Sequence, residues 1–363
     1  MASDVRLYRL GADPEFLFVK LADGVPYLTN ANTVICGNEG KAITSFIGTD
    51  NHAATAELRP SPANNIHRII MDVAHGMSYT GDWLAKKRRF QDLRIIAQPY
   101  VCDEPLGGHI HTSMFVRDPD LVAIRAANQI YRGYHCITYD KSYQTHSLSD
   151  ALVSKLHDRG LTDTMFTPDQ YVRVMEWLLG PFERWFQNWG MRYQRNAKYG
   201  PSAGDPYRVN ITVPPPGIAA RFADSCYFHF EYRVPSSWLT HPLIACAYLG
   251  LAKLTMLNYD HILKLVTSPV KKKEKATTTA QLLGLSATAW GDMPIAASPP
   301  VPDNETERKL FHERLKKLFM DHSPRVTSDI DDLARVLAKI ETMRDKWVSP
   351  TSTADLPAWK ALV

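Results

Sequence analysis

The stretch GADPEFLFV, residues 11–19, sets two acidic residues inside an aromatic run that favours a β-strand. Asp13 and Glu15 are two residues apart, so an extended backbone points both carboxylates to the same face. Carboxylates in an apolar strand are costly unless something compensates their charge, and a bound cation is a common compensation. The stretch therefore predicts one wall of a cation site. Pro14, between the acids, favours an edge or bulged strand that leaves both carboxylates accessible.

Size and charge set broad limits on function. The chain has 363 residues, 45% of them hydrophobic, with a formal net charge of +4. This mild basic excess falls short of the concentrated patch that nucleic-acid proteins carry, so we expect no nucleic-acid partner. Five scattered cysteines without a C-x-x-C spacing indicate neither a disulfide framework nor a zinc cluster, which favours a reducing compartment.

The N-terminal residues MASDVRLYRLGAD contain no apolar core of signal-peptide length, and no later run is long enough to span a membrane. The most apolar run, LIACAYLGLAKLTML from Leu243, is too short and carries Lys253. We therefore expect a cytoplasmic protein without a membrane partner.

Hydrophobic periodicity and turn residues predict an α+β fold, in which an antiparallel sheet is backed by helices. The predicted strands are residues 5–10, 15–21, 27–29, 42–46, 55–58, 93–101, 107–116, 207–213 and 227–234. The predicted helices are residues 64–90, 119–135, 168–189, 242–266, 305–320 and 328–347.

The character of the chain changes after the helix that ends near residue 266. Residues 268–303 begin with a lysine run and continue into a stretch rich in Pro and Ala, which is typical of a flexible insertion or linker. We therefore predict a main domain at residues 1–267, an insertion at 268–303, and a C-terminal helical extension at 304–363 that ends in a loose tail with Trp359.

Four predicted strands each carry polar residues at alternate positions. These are Asp13 with Glu15, Glu57 with Arg59, His109 with His111 and Ser113, and Glu231 with Arg233. Each set faces one side of its strand, so one antiparallel sheet would gather them on a single polar face. Carboxylates with one or two imidazoles suit Mg²⁺ or Mn²⁺, and arginines among the acids imply a phosphate or carboxylate held against them.

Four short motifs carry a family resemblance. GADPEFLF, HAATAELRP, GGHIHTS and FEYRVPSS resemble, in this order, the metal and nucleotide motifs of the glutamine synthetase superfamily of carboxylate–amine ligases. The similarity is greatest to the bacteriophage-type amidoligases, the COOH–NH2 ligases of type 2. It implies a glutamine synthetase-like catalytic fold with a curved antiparallel sheet backed by helices. It also implies an ATP-dependent ligase that activates a carboxylate as an acyl phosphate for attack by an amine.

The resemblance also implies roles for individual residues. The metal ligands for two Mg²⁺ or Mn²⁺ ions would be Glu15, Glu57, His109 and Glu231, with Asp13 adding charge and Asp50 a weaker addition. The ATP-binding residues would be His111, Ser113 and Arg233, together with Arg195, Tyr199, Gly200 and Arg208 of a basic, glycine-bearing segment. Catalysis would use Arg233 on the transferred phosphoryl group, Glu57, and Arg59 at a substrate or phosphate contact. A phage-encoded chain would act in the host cytoplasm.

The residues alone leave alternatives open. His109 and His111 could bind zinc, and Arg59 and Arg233 could be salt-bridge partners of neighbouring acids without any ligand. The protein could also be a non-catalytic virion or assembly component in which Trp359 and the terminal helices dock a neighbour. A metal-dependent phosphohydrolase or nuclease could use the same acids and histidines. The sequence does not identify the small-molecule or peptide carboxylate or the amine, and it is compatible with a homo-oligomer.

Overall fold

The structure is a computed structural model, and it describes residues 4–23, 25–35, 46–49, 54–117, 136–140, 168–187, 207–212, 226–267, 304–321, 324–349 and 351–363. The predicted helix at 119–135, most of the strand at 42–46 and the insertion at 268–303 lie outside these residues.

The described strands are β1 (Asp4–Ala22), β2 (Val25–Thr29), β3 (Ile47–Thr49), β4 (Thr55–Leu58), β5 (Leu93–Ile96), β6 (Tyr100–Val101), β7 (Glu104–Pro105), β8 (Gly108–Arg117), β9 (Cys136–Asp140), β10 (Tyr207–Thr212) and β11 (Cys226–Tyr232). The described helices are α1 (Ala31–Ile35), α2 (Ile66–Lys86), α3 (Pro168–Phe186), α4 (Pro242–Leu257), α5 (Tyr259–Thr267), α6 (Asn304–Asp321), α7 (Leu333–Trp347) and α8 (Leu356–Lys360). This confirms the predicted mixture of helices and antiparallel strands.

Strand β1 is the centre of the sheet. The order is β3-β4-β1-β8-β11-β10-β9, and β2 and β5 also pair with β1. All these pairings are antiparallel. The two strands predicted at 5–10 and 15–21 are thus one 19-residue strand.

The edge strand predicted from Pro14 is wrong. Pairing with β8 extends from Asp4 to Pro14, and pairing with β4 begins at Glu15. A proline is tolerated here because the pairing with β8 ends at it, and the N–H of Gly108, opposite it, donates to the Pro235 carbonyl at 2.8 Å. The bulge in β1 lies between Leu7 and Arg9 instead.

The two faces of the sheet differ in character. On one face, alternate residues such as Leu10, Ile110, Met114 and Phe230 are completely buried in the main hydrophobic core. Helix α4 is apolar on nearly all sides and lies inside this core, in contact with α2, α3 and α7. The opposite face carries the polar residues, and a small second cluster around Leu17 and Val19 covers its end along β1.

The C-terminal helices pack into the same core as the sheet. Helix α6 packs on α3, α7 on α4, and α8 on α2. The loose tail predicted around Trp359 is wrong, because this side chain is completely buried and its indole N–H donates to the Leu239 carbonyl at 2.9 Å. Burying a residue as large as tryptophan holds the end of the chain against the loop before α4.

A buried ion pair joins the C-terminal segment to the core. Lys253 on α4 places its Nζ atom 2.7 Å from both carboxylate oxygens of Asp329 and donates to the Asn64 carbonyl at 2.6 Å. The N–H of Ile66, at the start of α2, donates to the same carboxylate at 2.8 Å. Burial would raise the pKa of Asp329, but its hydrogen bonds from Lys253, Thr327 and Ile66 outweigh burial and lower the pKa.

We predict that Asp329→Asn lowers the free energy of unfolding by about 3–5 kcal/mol, because Lys253 would keep a buried charge without a counter-ion. Urea denaturation followed by circular dichroism measures the change. The control is Asp331→Asn, an exposed neighbour two residues away. Equal stability losses in the two variants would contradict the prediction.

The same pair predicts a pH dependence. A carboxylate whose pKa is lowered by folding stabilises the protein above the pKa of the unfolded state, which is about 4 for Asp. That contribution is lost as the pH falls through the lower pKa of the folded state. The stability difference between the wild type and Asp329→Asn should therefore be full at pH 7 and shrink below pH about 4.

Candidate functional site

The antiparallel pairing gathers the predicted site residues on the polar face of the sheet. Asp13 on β1 lies opposite His109 on β8, and His111 lies opposite Glu231 on β11. On the other side of β1, Glu15 lies opposite Glu57 on β4. Directly opposed residues of an antiparallel pair point to the same face, so all four motifs contribute to one surface.

Three side chains converge closely enough to share a cation. His109 Nδ1 lies 3.2 Å from Asp13 Oδ1 and 3.5 Å from Glu231 Oε1. One ligand atom from each of the three residues lies within 4.8 Å of the other two. Asp13 Oδ1 is buried and has no hydrogen-bond partner among the described residues. Two carboxylates and one imidazole in this arrangement fit a divalent cation such as Mn²⁺ or Mg²⁺.

The pKa shifts of His109 and Asp13 also indicate that these acids need a positive charge beside them. Burial would lower the pKa of His109, but the carboxylates of Asp13 and Glu15 outweigh burial and raise it to about 9. Burial would likewise raise the pKa of Asp13, yet His111 and His109 hold it well below its ordinary value. In the free chain a protonated imidazole therefore neutralises these acids, which is the role that a bound cation would take over.

Glu15 is held at the other edge of the His109 ring. Its Oε2 accepts a hydrogen bond from the Gly107 N–H, and its Oε1 lies 3.9 Å from His109 Nε2. The Ser237 hydroxyl donates to the Glu15 carbonyl at 2.6 Å. The three residues that converge are therefore Asp13, His109 and Glu231. Glu15 lies on the Nε2 side of the imidazole instead, opposite Glu57 on β4.

The paired glycines before His109 leave room for its ring. A Cβ atom on Gly107 would lie 2.2 Å from His109 Nε2. A Cβ atom on Gly108 would lie 2.4 Å from the Ser236 carbonyl oxygen. Glycine is therefore needed at position 107 to leave room for the His109 ring, and at position 108 to allow close packing against the Ser236 backbone.

The two predicted arginines both form ion pairs with acids of the site. Arg233 is buried, and its Nε lies 3.2 Å from Glu231 Oε1. Arg59 pairs with Glu57 and donates to the Thr49 carbonyl at 3.2 Å. The side chain of Arg59 is 52% exposed, so its guanidinium is accessible to a ligand on the polar face.

His229 is a site residue that the sequence interpretation missed. Its Nε2 lies 2.9 Å from His111 Nδ1, and His111 Nε2 lies 3.0 Å from Asp13 Oδ2. The three side chains therefore form a continuous polar chain across β11, β8 and β1. The sequence does contain a signal for this residue: His229 lies two residues before Glu231 and so continues the alternate spacing of Glu231 and Arg233.

Some predicted residues cannot be placed on this face. Asp50, Arg195, Tyr199 and Gly200 lie outside the described residues. The backbone of Arg208 lies in β10 opposite Glu231, and its side chain is not described. Ser113 lies on the polar face of β8, opposite His229.

Fold and site together describe a protein with an antiparallel sheet that carries a candidate cation site on one face. Residues 10–129 match the family described as "Phage phiEco32-like COOH.NH2 ligase-type 2". This match confirms the family resemblance over about a third of the chain and includes the motifs of Asp13, Glu57 and His109.

Other comparisons are more distant. No curated protein matches the chain. The similar solved structures include a bifunctional glutathione synthetase from Pasteurella multocida, with a TM-score of 0.42 and 11% sequence identity. That alignment covers 98% of this chain and 50% of the synthetase, so the chain spans about half the length of that protein. In the part of the chain that the structure describes, no helix is long and apolar enough to cross a membrane.

We predict that Gly107→Ala weakens Mn²⁺ binding by about 10- to 100-fold, because the added methyl group displaces the His109 ring from Asp13 and Glu231. Isothermal titration with Mn²⁺ measures the affinity, and circular dichroism checks the fold.

Gly81→Ala on helix α2 is the control for this experiment. Its Cβ would approach the Leu356 side chain at 3.2 Å and would not touch the site. Wild-type Mn²⁺ affinity in folded Gly107→Ala would show that His109 does not bind the metal.

Proposed function

We propose that this protein is an ATP-dependent carboxylate–amine ligase that forms an amide or peptide-like bond through an acyl phosphate. The observation that carries the proposal is the convergence of Asp13, His109 and Glu231 on the polar face. Two of these residues lie in the segment that matches a COOH.NH2 ligase family. A glutamine synthetase-like arrangement of the sheet is part of the same proposal.

The first step is the transfer of the γ-phosphoryl group of ATP to a substrate carboxylate. A carboxylate oxygen forms a bond to the phosphorus atom as the bond to the bridging oxygen of ADP breaks. Divalent cations at such a site neutralise the negative charge of the phosphate oxygens. Asp13, His109 and Glu231 would hold one cation, and Glu15 and Glu57 would supply a second position on the Nε2 side of His109.

We assign to Arg233 the role of stabilising the negative charge that develops on the transferred phosphoryl group. Its guanidinium is buried and already oriented by Glu231, so little reorganisation would accompany binding of a phosphate oxygen. Arg59, on the far side of β1, is accessible and suits the carboxylate substrate or an outer phosphate oxygen.

The second step is attack of the amine nitrogen on the carbonyl carbon of the acyl phosphate. The C–N bond forms, inorganic phosphate leaves, and the amine gives up one proton. Water would hydrolyse the acyl phosphate if it entered first, so the site has to remain closed until the amine binds.

The competing candidates receive less support. A docking role for Trp359 is not available, because that side chain is buried against its own chain. A phosphohydrolase or nuclease would use the same cation site, but residues 10–129 match a ligase family.

We predict that the wild-type protein releases ADP in the presence of Mg²⁺ only when a carboxylate and an amine are both supplied. Hydroxylamine is a convenient amine, because it converts an acyl phosphate into a hydroxamate that iron(III) reveals by colour. A panel of amino acids, short peptides and small dicarboxylates supplies the carboxylate. Phosphoester cleavage without ATP would contradict the proposal.

Glu231→Gln should abolish hydroxamate formation and Mg²⁺-dependent nucleotide binding, because the neutral amide is a poor cation ligand and no longer pairs with Arg233. Glu313→Gln, at an exposed position of α6, is the matched control and should retain full activity. Unchanged nucleotide binding in Glu231→Gln would mean that the site lies elsewhere.

A further inference from the structure

Glu183 is a buried acidic residue that the proposed mechanism does not use. It lies on helix α3 and is only 2% exposed. Its Oε1 accepts a hydrogen bond from the Ser236 N–H at 2.9 Å, and its Oε2 accepts one from the Tyr248 hydroxyl on α4. The Gln187 side-chain amide donates in turn to the Tyr248 hydroxyl at 3.0 Å. A buried carboxylate is costly unless donors compensate it, and these donors also fix its orientation.

Ser236 lies in the middle of the β11–α4 loop, which comprises residues 233–241. Residues 234–240 of this loop are all buried, although they lie between a strand and a helix. A buried loop lacks the repeating backbone hydrogen bonds of a helix or strand, so each of its N–H groups depends on an individual partner. The Glu183 carboxylate is that partner for Ser236, and it therefore anchors the loop at its centre.

The same loop contacts the chain segments that carry Glu15 and His109. Ser236 forms an antiparallel bridge with Gly107, and the Ser237 hydroxyl donates to the Glu15 carbonyl at 2.6 Å. The Gly107 N–H donates to the Glu15 carboxylate. Gly107 also lies against the His109 ring, because a Cβ atom there would be 2.2 Å from Nε2. The position of the loop therefore determines where the Glu15 carboxylate and the backbone before His109 lie.

We infer that Glu183 is a positioning residue of the cation site, which acts by holding the β11–α4 loop in place. This inference rests on the proposed function, because that function gives the cation site its role. Glu183 acts through Ser236 and Gly107, and not by contact with the cation or the reactants. A residue with only a structural role would change the free energy of unfolding and leave the cation affinity of the folded protein unchanged, so the affinity separates the two roles.

Isothermal titration with Mn²⁺ compares the wild type with three variants whose folding is checked by circular dichroism. Glu183→Ala removes the acceptor of the Ser236 N–H, and we expect the Mn²⁺ affinity to fall by about tenfold or more. Glu183→Gln keeps the shape and one acceptor oxygen, so its loss should be only about threefold. Asp329→Asn is the matched control, because Asp329 is also a buried carboxylate that accepts a backbone N–H, but at the C-terminal ion pair. It should retain the wild-type Mn²⁺ affinity.

Wild-type Mn²⁺ affinity in folded Glu183→Ala would overturn the inference, and so would an equal loss in Asp329→Asn. If Glu183→Ala does not fold, Glu183→Gln decides by the same criterion. A wild-type protein that binds no Mn²⁺ would overturn the cation site of the proposed function, and amide hydrogen exchange would then decide this inference. We expect the Gly107 N–H, which donates to Glu15, to exchange faster in the folded Glu183 variant than in the wild type. Unchanged exchange at Gly107 would overturn the positioning role.

Discussion

The stability of the polar face depends on positive groups that balance the charges of its buried carboxylates. Glu15 and Glu57 are opposed across β1 and β4, and both are almost completely buried. Without a nearby positive charge, two such carboxylates would repel each other, and this repulsion would favour their protonated, neutral forms. Arg59 on the β4 side pairs with Glu57, and the pairing with β8 and β11 adds His109 beside Glu15 and Arg233 beside Glu231. The register of four strands and the charge state of the face are therefore determined together.

The helices and loops packed against the sheet hold the strands in this register. The apolar face packs on α3 and α4, and the C-terminal helices complete the same core. Gly108 and Trp238 bring the loop after β11 against the start of β8, where the Trp238 indole N–H donates to the Gly108 carbonyl at 3.1 Å. Because the same loop holds the Glu15 backbone through Ser237, small movements of the core would be felt at the site. A cation site with fixed geometry needs this support.

The sequence predicted the type of fold and most residues of the face, because alternation with period two is a local signal. Two predictions were wrong because tertiary packing, and not the local sequence, determines the structure at those positions. Pro14 suggested an edge, yet it lies in the central strand, at the last residue that pairs with β8. Trp359 follows a polar stretch and looked like part of a tail, and only the packing of α8 on α2 buries it. His229 has the correct spacing, but its contact with His111 becomes visible only when the register of β8 and β11 is known.

The central claim is that Asp13, His109 and Glu231 hold a divalent cation for phosphoryl transfer. The most direct test is a crystal structure with Mn²⁺ and a non-hydrolysable ATP analogue, with diffraction data measured at the manganese absorption edge. We predict an anomalous density peak between these three side chains, at about 2.1 Å from each ligand atom, with a phosphate oxygen of the nucleotide bound to it. A peak at other residues, or a bound nucleotide without a peak on this face, would contradict the account.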